Sequence, residues 1–237
     1  MLNKDTIKTI LSVTDHTNLN PCATKKDIEN LCKEALEYKT ASVCVSLSRI
    51  RDAFMYFQGE FQKDLDKGNT EKYYPKICTV IGFPHGNTNT QCKMEEAIRA
   101  IALGADEIDM VINLGWVKDG EYDRITNEIN MIKKCCGGRI LKVITETGYL
   151  SDSEFEQVCK AVSKSEADYI KTSTGFGPRG ANFEDVIRMK TFCSPYLKIK
   201  AAGGIKTLED AWKYIELGAD RLGTSKIVKA IKEKIFF

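Results

Sequence analysis

The sequence predicts a closed (β/α)8 barrel, a TIM barrel, with a short extra helix at its N-terminus. Eight strand-like runs alternate with helical patterns along the 237 residues, as in a parallel sheet with helices packed on its outer face. The length also suits one such barrel. An Ala-Asp pair ends a helix and begins a strand three times, at 105–106, 167–168 and 219–220. We therefore expect a single barrel domain over residues 1–237.

A doubly wound open sheet is the alternative topology. It would bind a dinucleotide through a Gly-x-Gly-x-x-Gly turn after its first strand. The sequence has no such motif at that place, and this favours the barrel.

Each strand is predicted from a short run rich in apolar and β-branched residues. The expected strands are 11–17, 42–47, 77–83, 107–113, 139–145, 169–173, 197–201 and 221–223. Helices are predicted from apolar residues at helical spacing, and Thr24 and Ser151 are suited to cap two of them. The expected helices are 3–10, 24–38, 48–57, 90–103, 120–136, one starting at 151, 182–192, 207–217 and 225–235. The charged segment 59–76 is expected to be a surface excursion.

The composition describes an ordinary globular protein, with 43% hydrophobic and 29% charged residues. A net charge of +2 gives no electrostatic reason to expect nucleic acid or an anionic membrane as a partner. No apolar run reaches membrane-spanning length, and the first residues lack the pattern of a signal peptide. The expected location is the cytoplasm.

The nine cysteines do not have the spacing of a metal site. Their number is odd, no Cys-x-x-Cys pair occurs, and only His16 and His85 could add ligands. We expect all nine to be reduced and most to serve in packing.

Side-chain alternation sends charged residues into the barrel interior. In the fourth strand Ile108, Met110 and Ile112 form an outward apolar row, which leaves Asp109 inside. The same argument places four more charged residues inside, Asp15, Lys142, Lys171 and Lys200, so that two carboxylates and three ammonium groups are expected there. Ion pairs that only fill the barrel are the alternative, but their desolvation is costly. An active site at the C-terminal strand ends is therefore the preferred interpretation.

Lys171 and Lys200 end up on neighbouring strands. Each ammonium group disfavours the charge on the other, so one can be a neutral amine near pH 7. A neutral amine attacks carbonyl groups and forms Schiff bases, and a nearby aspartate can transfer protons. This pattern predicts carbonyl chemistry on a lysine.

Glycine-rich turns follow the last two strands. Gly203 and Gly204 follow strand seven, and Gly223, Thr224 and Ser225 follow strand eight, each before a helix. Backbone N–H groups and a helix N-terminus then converge on one place, as in the phosphate sites of many barrels. Either turn alone is equally compatible with an ordinary tight turn. Together they favour a phosphorylated ligand.

With these residues identified, the chain resembles the deoxyribose-phosphate aldolases, which are class I Schiff-base aldolases on TIM barrels. The similarity rests on six ordered blocks: DHT at 15–17, ASVCV at 41–45, EIDMVIN at 107–113, LKVITET at 141–147, KTSTG at 171–175 and KAAGGI at 200–205.

The resemblance implies that Lys171 forms the Schiff base, that Lys200 is the second lysine, and that Asp109 donates and accepts protons. Asp15 and Lys142 would support them. The substrate-binding residues would be Thr17, Cys44, Thr172, Gly175, Gly203, Gly204, Gly223, Thr224 and Ser225. The implied reaction is reversible cleavage of 2-deoxy-D-ribose 5-phosphate to acetaldehyde and D-glyceraldehyde 3-phosphate, in deoxyribonucleotide and carbohydrate catabolism. Neither metal nor organic cofactor is implied, and a homodimer or higher homo-oligomer is expected.

Two positions depart from the family pattern, since Arg179 and Lys226 stand where relatives tend to have small residues. Arg179 is either a phosphate contact or a solvent-facing side chain. A Schiff-base aldolase with another donor, and a sugar-phosphate-binding barrel without activity, are the alternative functions. The combination of Lys171, Lys200 and Asp109 favours an enzyme, because a binding protein has no need of a lysine pair.

Overall fold

Eight parallel strands pair in chain order and close when the last strand pairs with the first. The computed structural model describes residues 2–235, so Met1, Phe236 and Phe237 of the expected 1–237 domain lie outside the described residues. The strands are β1 Thr14–Asn18, β2 Ser42–Val45, β3 Lys76–Ile81, β4 Glu107–Val111, β5 Ile140–Ile144, β6 Tyr169–Lys171, β7 Lys198–Ala202 and β8 Arg221–Thr224. The (β/α)8 barrel prediction is confirmed.

Ten α-helices are present in the described chain, and most surround the barrel. They are α1 Lys4–Ser12, α2 Lys25–Tyr38, α3 Ile50–Asp66, α4 Thr90–Ala102, α5 Leu114–Lys118, α6 Tyr122–Cys135, α7 Asp152–Ser163, α8 Phe183–Phe192, α9 Leu208–Glu216 and α10 Ile227–Ile235. Both predicted caps are confirmed, since Thr24 and Ser151 each form a capping box with an acidic side chain three residues later. Within residues 2–235 no helix has the length and apolar character needed to cross a membrane.

The predicted first strand began too early. Helix α1 continues through Leu11 to Ser12, so β1 begins only at Thr14. Leu11 is 7% exposed and belongs to the apolar core, and helical spacing from Ile7 brings it there. An apolar residue at this place satisfies a strand pattern and a helix pattern equally well.

The predicted surface excursion at 59–76 is wrong for its first half. Helix α3 continues through Gly59 to Asp66, and only the following residues form an irregular connection. Tyr74 packs edge to face on Phe61, and its hydroxyl donates a hydrogen bond to Asp64 at 2.5 Å. These contacts stabilise about two and a half helical turns beyond the predicted helix end at residue 57.

Strand β4 is shorter than predicted because Asn113 ends it. The Asn113 side chain accepts hydrogen bonds from the N–H groups of Gly115 and Trp116, and so begins the unpredicted helix α5. Strand β6 likewise ends at Lys171 rather than at residue 173. Both differences move the chain out of the sheet at the C-terminal end of the barrel.

The outer faces of the strands and the inner faces of the helices share the main apolar core, in which Ile108 and Met110 are fully buried. Inside the barrel a separate small cluster consists of Cys44, Cys78 and Val80. Lys198 is exposed at the start of β7, at the bottom of the barrel. Charged side chains fill much of the remaining interior, and they form the site.

Candidate active site

Lys171 is the last residue of β6, and its side chain is 3% exposed. It pairs in register with Ile144 of β5 and Lys200 of β7. Its Nζ donates a hydrogen bond to Asp109 Oδ2 at 2.7 Å. The strand therefore delivers an amine to a carboxylate at the C-terminal end of the barrel, as the sequence predicted.

Asp109 is fully buried, and its carboxylate accepts hydrogen bonds from three lysines. Its Oδ2 accepts from both Lys171 and Lys200 at 2.7 Å. Its Oδ1 accepts from Lys142 at 2.9 Å and from the Cys78 thiol at 3.2 Å. Burial alone would raise the pKa of Asp109, but the three ammonium groups outweigh it and hold this pKa well below its ordinary value. Asp109 is therefore an ionised carboxylate throughout the neutral range.

Lys200 lies between two carboxylates, 2.5 Å from Asp15 Oδ2 and 2.7 Å from Asp109 Oδ2. Burial lowers the pKa of Lys200, but the two carboxylates outweigh burial and raise it above its ordinary value. Asp15 and Asp109 also outweigh burial at Lys142, together with Glu107 at 2.6 Å, and the pKa of Lys142 is raised as well. Both lysines are therefore stable ammonium groups.

Glu107 and Arg221 complete the network, and the sequence analysis missed both. Arg221 contacts Asp15 Oδ1 at 2.7 Å and Glu107 Oε1 at 3.2 Å. Glu107 has the same strand parity as Asp109, so the alternation rule would have found it. Arg221 gave no comparable signal, because β8 has only four residues and its first residue looks like a solvent-facing strand end.

The interior network is larger than the predicted two carboxylates and three ammonium groups, but it has the same excess of one positive charge. In the described chain it contains three carboxylates and four basic side chains, namely Asp15, Glu107, Asp109, Lys142, Lys171, Lys200 and Arg221. One basic group is in excess. The network is electrically neutral when one of the four basic groups carries no charge.

A cavity of about 800 Å³ opens above this network at the C-terminal end of the barrel. Eight of the predicted site residues line it: Lys171, Thr17, Gly175, Gly203, Gly204, Gly223, Thr224 and Ser225. Gly203 and Gly204 have φ values of 85° and 79°, which glycine adopts without strain. Exposed Lys206 and Lys226 add two positive charges to the lining. The cavity therefore combines a buried amine with backbone groups and cations suited to an anion.

Two predicted substrate-binding residues lie outside this lining. The Thr172 hydroxyl donates to the Ala202 carbonyl at 3.2 Å and accepts from the Ala202 N–H at 3.1 Å, and so joins the chain after β6 to β7. Cys44 lies inside the barrel with Cys78 and Val80. The structure thus gives both side chains packing or bridging contacts away from the cavity.

Arg179, for which two roles were open, binds Asp185. Its guanidinium contacts the Asp185 carboxylate at 2.5 and 2.9 Å. Asp185 is buried in the first turn of α8, so this pair fixes the segment that follows Gly175 to that helix. Arg179 is not among the residues that line the described cavity.

Two groups of buried ligands within residues 2–235 have the spacing of a metal site, although the sequence spacing gave no sign of them. They are Cys44, Cys78 and Asp109, and Asp15, Cys78 and Glu107, with ligand atoms within 4.8 Å of one another in each group. Strand register brings them together. The Lys142 ammonium lies 3.3 Å from Cys78 Sγ and 2.9 Å from Asp109 Oδ1. A divalent cation there would be repelled at short range, so these ligands suit an ammonium group better than a metal.

The fold, the buried lysine network and comparison with known proteins define the chain as a class I aldolase, a carbon–carbon lyase on a (β/α)8 barrel. The model of the DeoC/LacD family aldolases matches residues 9–226. The chain belongs to this family.

Curated relatives match nearly the whole chain. A deoxyribose-phosphate aldolase of Streptococcus agalactiae is 47% identical over 228 residues, which are 96% of both chains. One from Clostridium botulinum is 47% identical over 226 residues, covering 94% of this chain and 95% of the other. Among solved structures, a putative deoxyribose-phosphate aldolase from Coccidioides immitis has a TM-score of 0.87 at 38% identity, covering 97% of this chain and 87% of the other. A tetrameric deoxyribose phosphate aldolase from Aeropyrum pernix has a TM-score of 0.76 at 27% identity and covers 99% of both chains.

Proposed function

We propose that the chain is a 2-deoxy-D-ribose 5-phosphate aldolase that cleaves its substrate reversibly to acetaldehyde and D-glyceraldehyde 3-phosphate. The observation that carries the proposal is the position of Lys171, whose Nζ lies 2.7 Å from Asp109 at the base of a cavity with glycine-rich walls. The 47% identical relatives named above support this substrate over other donors.

Lys171 is the nucleophile in this proposal. Within the described residues its Nζ has one carboxylate partner, whereas Lys200 and Lys142 each contact two or more. Lys171 is therefore the least tightly paired of the three lysines, and it alone of these lysines lines the cavity. A neutral amine there can attack a carbonyl carbon.

The other charged groups of the network transfer protons and stabilise the charges that form during the reaction. In the synthetic direction the Lys171 amine adds to acetaldehyde, water leaves, and an iminium ion forms. Asp109, ionised and within hydrogen-bond distance of Lys171, stabilises that cation and accepts, directly or through a water, the proton lost from the adjacent carbon. The enamine then attacks the aldehyde of D-glyceraldehyde 3-phosphate. Lys200 supplies a fixed positive charge and a proton donor, while Asp15 and Lys142 hold these groups in place.

The phosphate of the substrate binds at the glycine-rich part of the cavity wall. Gly203, Gly204 and Ser225 line that wall, and Lys206 and Lys226 add cations to it. Helix α10 begins directly after Lys226, so its N-terminal N–H groups face the same region.

Further parts of the proposal concern the whole protein. We propose one domain over the chain, with the covalent intermediate on Lys171 taking the place of a metal or organic cofactor. A cytoplasmic homodimer or higher oligomer is part of the proposal, and the tetrameric relative from Aeropyrum pernix supports self-association. Small phosphorylated sugars and aldehydes are the expected partners.

The decisive experiment is intact-mass spectrometry after incubation with acetaldehyde and borohydride. The wild type should gain one N-ethyl group that maps to Lys171. Lys171→Ala should gain none, and Lys198→Ala, which removes an exposed lysine from β7, should react like the wild type. An adduct on Lys200 with Lys171 unmodified would refute the proposed nucleophile. Reaction with other carbonyl donors but not with acetaldehyde would refute the proposed substrate.

A further inference from the structure

Cys44 and Cys78 are direct neighbours inside the barrel. They pair in register on β2 and β3, so their side chains point to the same side of the sheet. Their Sγ atoms lie within 4.8 Å of each other. Paired residues on adjacent strands have Cα atoms about 4.8 Å apart, within the range that a disulfide spans. The barrel thus places two thiols at bonding reach without a backbone rearrangement.

One of these thiols is part of the network around Asp109. Cys78 Sγ donates to Asp109 Oδ1 at 3.2 Å and accepts from Lys142 Nζ at 3.3 Å. Both cysteines are nearly or fully buried. The main cavity comes close to them, because Leu19 both lines that cavity and packs against the cluster of Cys44, Cys78 and Val80. The thiols lie outside the cavity lining but next to a residue of its wall, and a small oxidant would approach them from that side.

We propose that Cys44 and Cys78 form a reversible disulfide when the protein meets hydrogen peroxide, and that this bond switches the aldolase off. The Cys44 thiol attacks one peroxide oxygen, the O–O bond breaks, and a sulfenic acid and one water form. The Cys78 sulfur then attacks the Cys44 sulfur, and the sulfenic hydroxyl leaves with the Cys78 thiol proton as a second water. Two thiols are oxidised by two electrons and one peroxide is reduced.

The order of the two cysteines follows from their surroundings. A hydrogen bond from Cys78 lowers the pKa of the Cys44 thiol, whereas burial raises the pKa of Cys78. The thiolate is the reactive form, so Cys44 is attacked first and Cys78 resolves it.

The bond would change the site through Asp109. Disulfide sulfurs are about 2 Å apart, so Cys78 Sγ must move toward Cys44 and its S–H donor to Asp109 disappears. The loss of activity rests on the proposed role of Asp109, whereas formation of the bond does not. A disulfide between directly paired strand residues is strained, which makes it easy to reduce. The switch should therefore reset with an ordinary dithiol.

The test treats the reduced full-length protein with hydrogen peroxide, blocks the remaining thiols with N-ethylmaleimide in denaturant, and maps the peptides. We expect a Cys44–Cys78 linked peptide, loss of at least nine tenths of the aldolase activity in proportion to it, and recovery with dithiothreitol. Trapping of acetaldehyde on Lys171 with cyanoborohydride, which leaves disulfides intact, should fall in parallel, as a second readout.

Three variants make the test specific. The activity of each variant after peroxide treatment is divided by the activity of the same variant before treatment. Cys44→Ser and Cys78→Ser should retain their activity under peroxide to within about twofold. Cys193→Ser removes one member of a second thiol pair, with Cys159, at the outer helices, and should remain as sensitive as the wild type. Absence of the linked peptide, or equal peroxide sensitivity of Cys44→Ser and wild type, would overturn the proposal. A complete link with full activity would overturn the switch, and an inactive reduced enzyme that still forms the link would instead refute the proposed function.

Discussion

Glu146 and Thr174 are joined by two hydrogen bonds to one oxygen. Glu146 Oε2 accepts from the Thr174 N–H at 3.1 Å and also from the Thr174 hydroxyl. Glu146 itself follows β5 with a φ of 49°, a left-handed conformation that few non-glycine residues adopt. Thr174 and the next two residues line the cavity above Lys171. The carboxylate thus holds the loop after β6 in position from the neighbouring strand.

Replacing Glu146 should therefore loosen this loop. We expect Glu146→Gln to lower kcat/KM by about tenfold, chiefly through KM, because a buried charge-assisted hydrogen bond contributes roughly 1.5–3 kcal/mol. Thr174→Ser keeps the hydroxyl and should stay near wild type, whereas Thr174→Val should resemble Glu146→Gln. Steady-state kinetics on 2-deoxy-D-ribose 5-phosphate measure this. A drop in kcat with unchanged KM would contradict a positioning role.

Arg221 should be important for stability although it does not line the cavity. Its side chain is 12% exposed and bridges Asp15 and Glu107. Arg221→Met leaves two buried carboxylates without this partner, and we expect a loss of about 3–5 kcal/mol in unfolding free energy. Urea denaturation measures it.

Lys63→Met is the matched control for Arg221→Met. Lys63 pairs with Glu60 on the surface of α3, and its side chain is 67% exposed. That pair should contribute less than about 1 kcal/mol. Equal losses of unfolding free energy in the two variants would show that the interior ion pairs of Arg221 stabilise the fold no more than a surface ion pair does.

Glu34 should give the protein an acid-sensitive contribution to stability. Its carboxylate contacts His16 Nε2 at 2.8 Å and receives Lys232 at 2.7 Å. The hydrogen bond to His16 outweighs burial and, with Lys232, lowers the pKa of Glu34 from 4.5 to about 2. Because the folded pKa is depressed, the contribution is complete above pH 4.5 and disappears as the pH falls toward 2.

The measurement is thermal unfolding of wild type and Glu34→Gln across this window. Above pH 5 the unfolding free energies of the two proteins should differ by less than about 1 kcal/mol, since the site is partly exposed. Below pH 5 the two free energies should converge. Glu37→Gln, on the same helix, should leave the pH profile unchanged. A difference that grows toward low pH would reverse the assigned sign.

The interior charges could be predicted from sequence because a strand has a period of two. Once the apolar residues of β4 fix its outward face, Asp109 must point inward, and the same holds for Lys200 on β7. Glu107 was available from the same parity, but at the first position of a strand it resembles a solvated end. The rule thus works best in the middle of strands.

Other features depend on contacts between distant segments. Thr172, in the turn after Lys171, was predicted to bind substrate. Its hydroxyl instead binds the backbone of Ala202, thirty residues away. Arg179 likewise forms an ion pair with Asp185 of α8 and does not line the cavity. No local pattern determines which of two nearby polar groups a side chain chooses.

The pairing of β1 with β8 has a consequence for the order in which the protein becomes competent. Asp15 meets Arg221 across 206 positions of the chain, and Asp109 meets Lys200 across 91. Until the last strand has been synthesised and docked, these carboxylates have no full set of counter-charges, and the amine of Lys171 lacks its environment. The chemistry proposed for Lys171 therefore depends on the complete ring of strands, and a nascent or truncated chain does not yet have the environment that this chemistry needs.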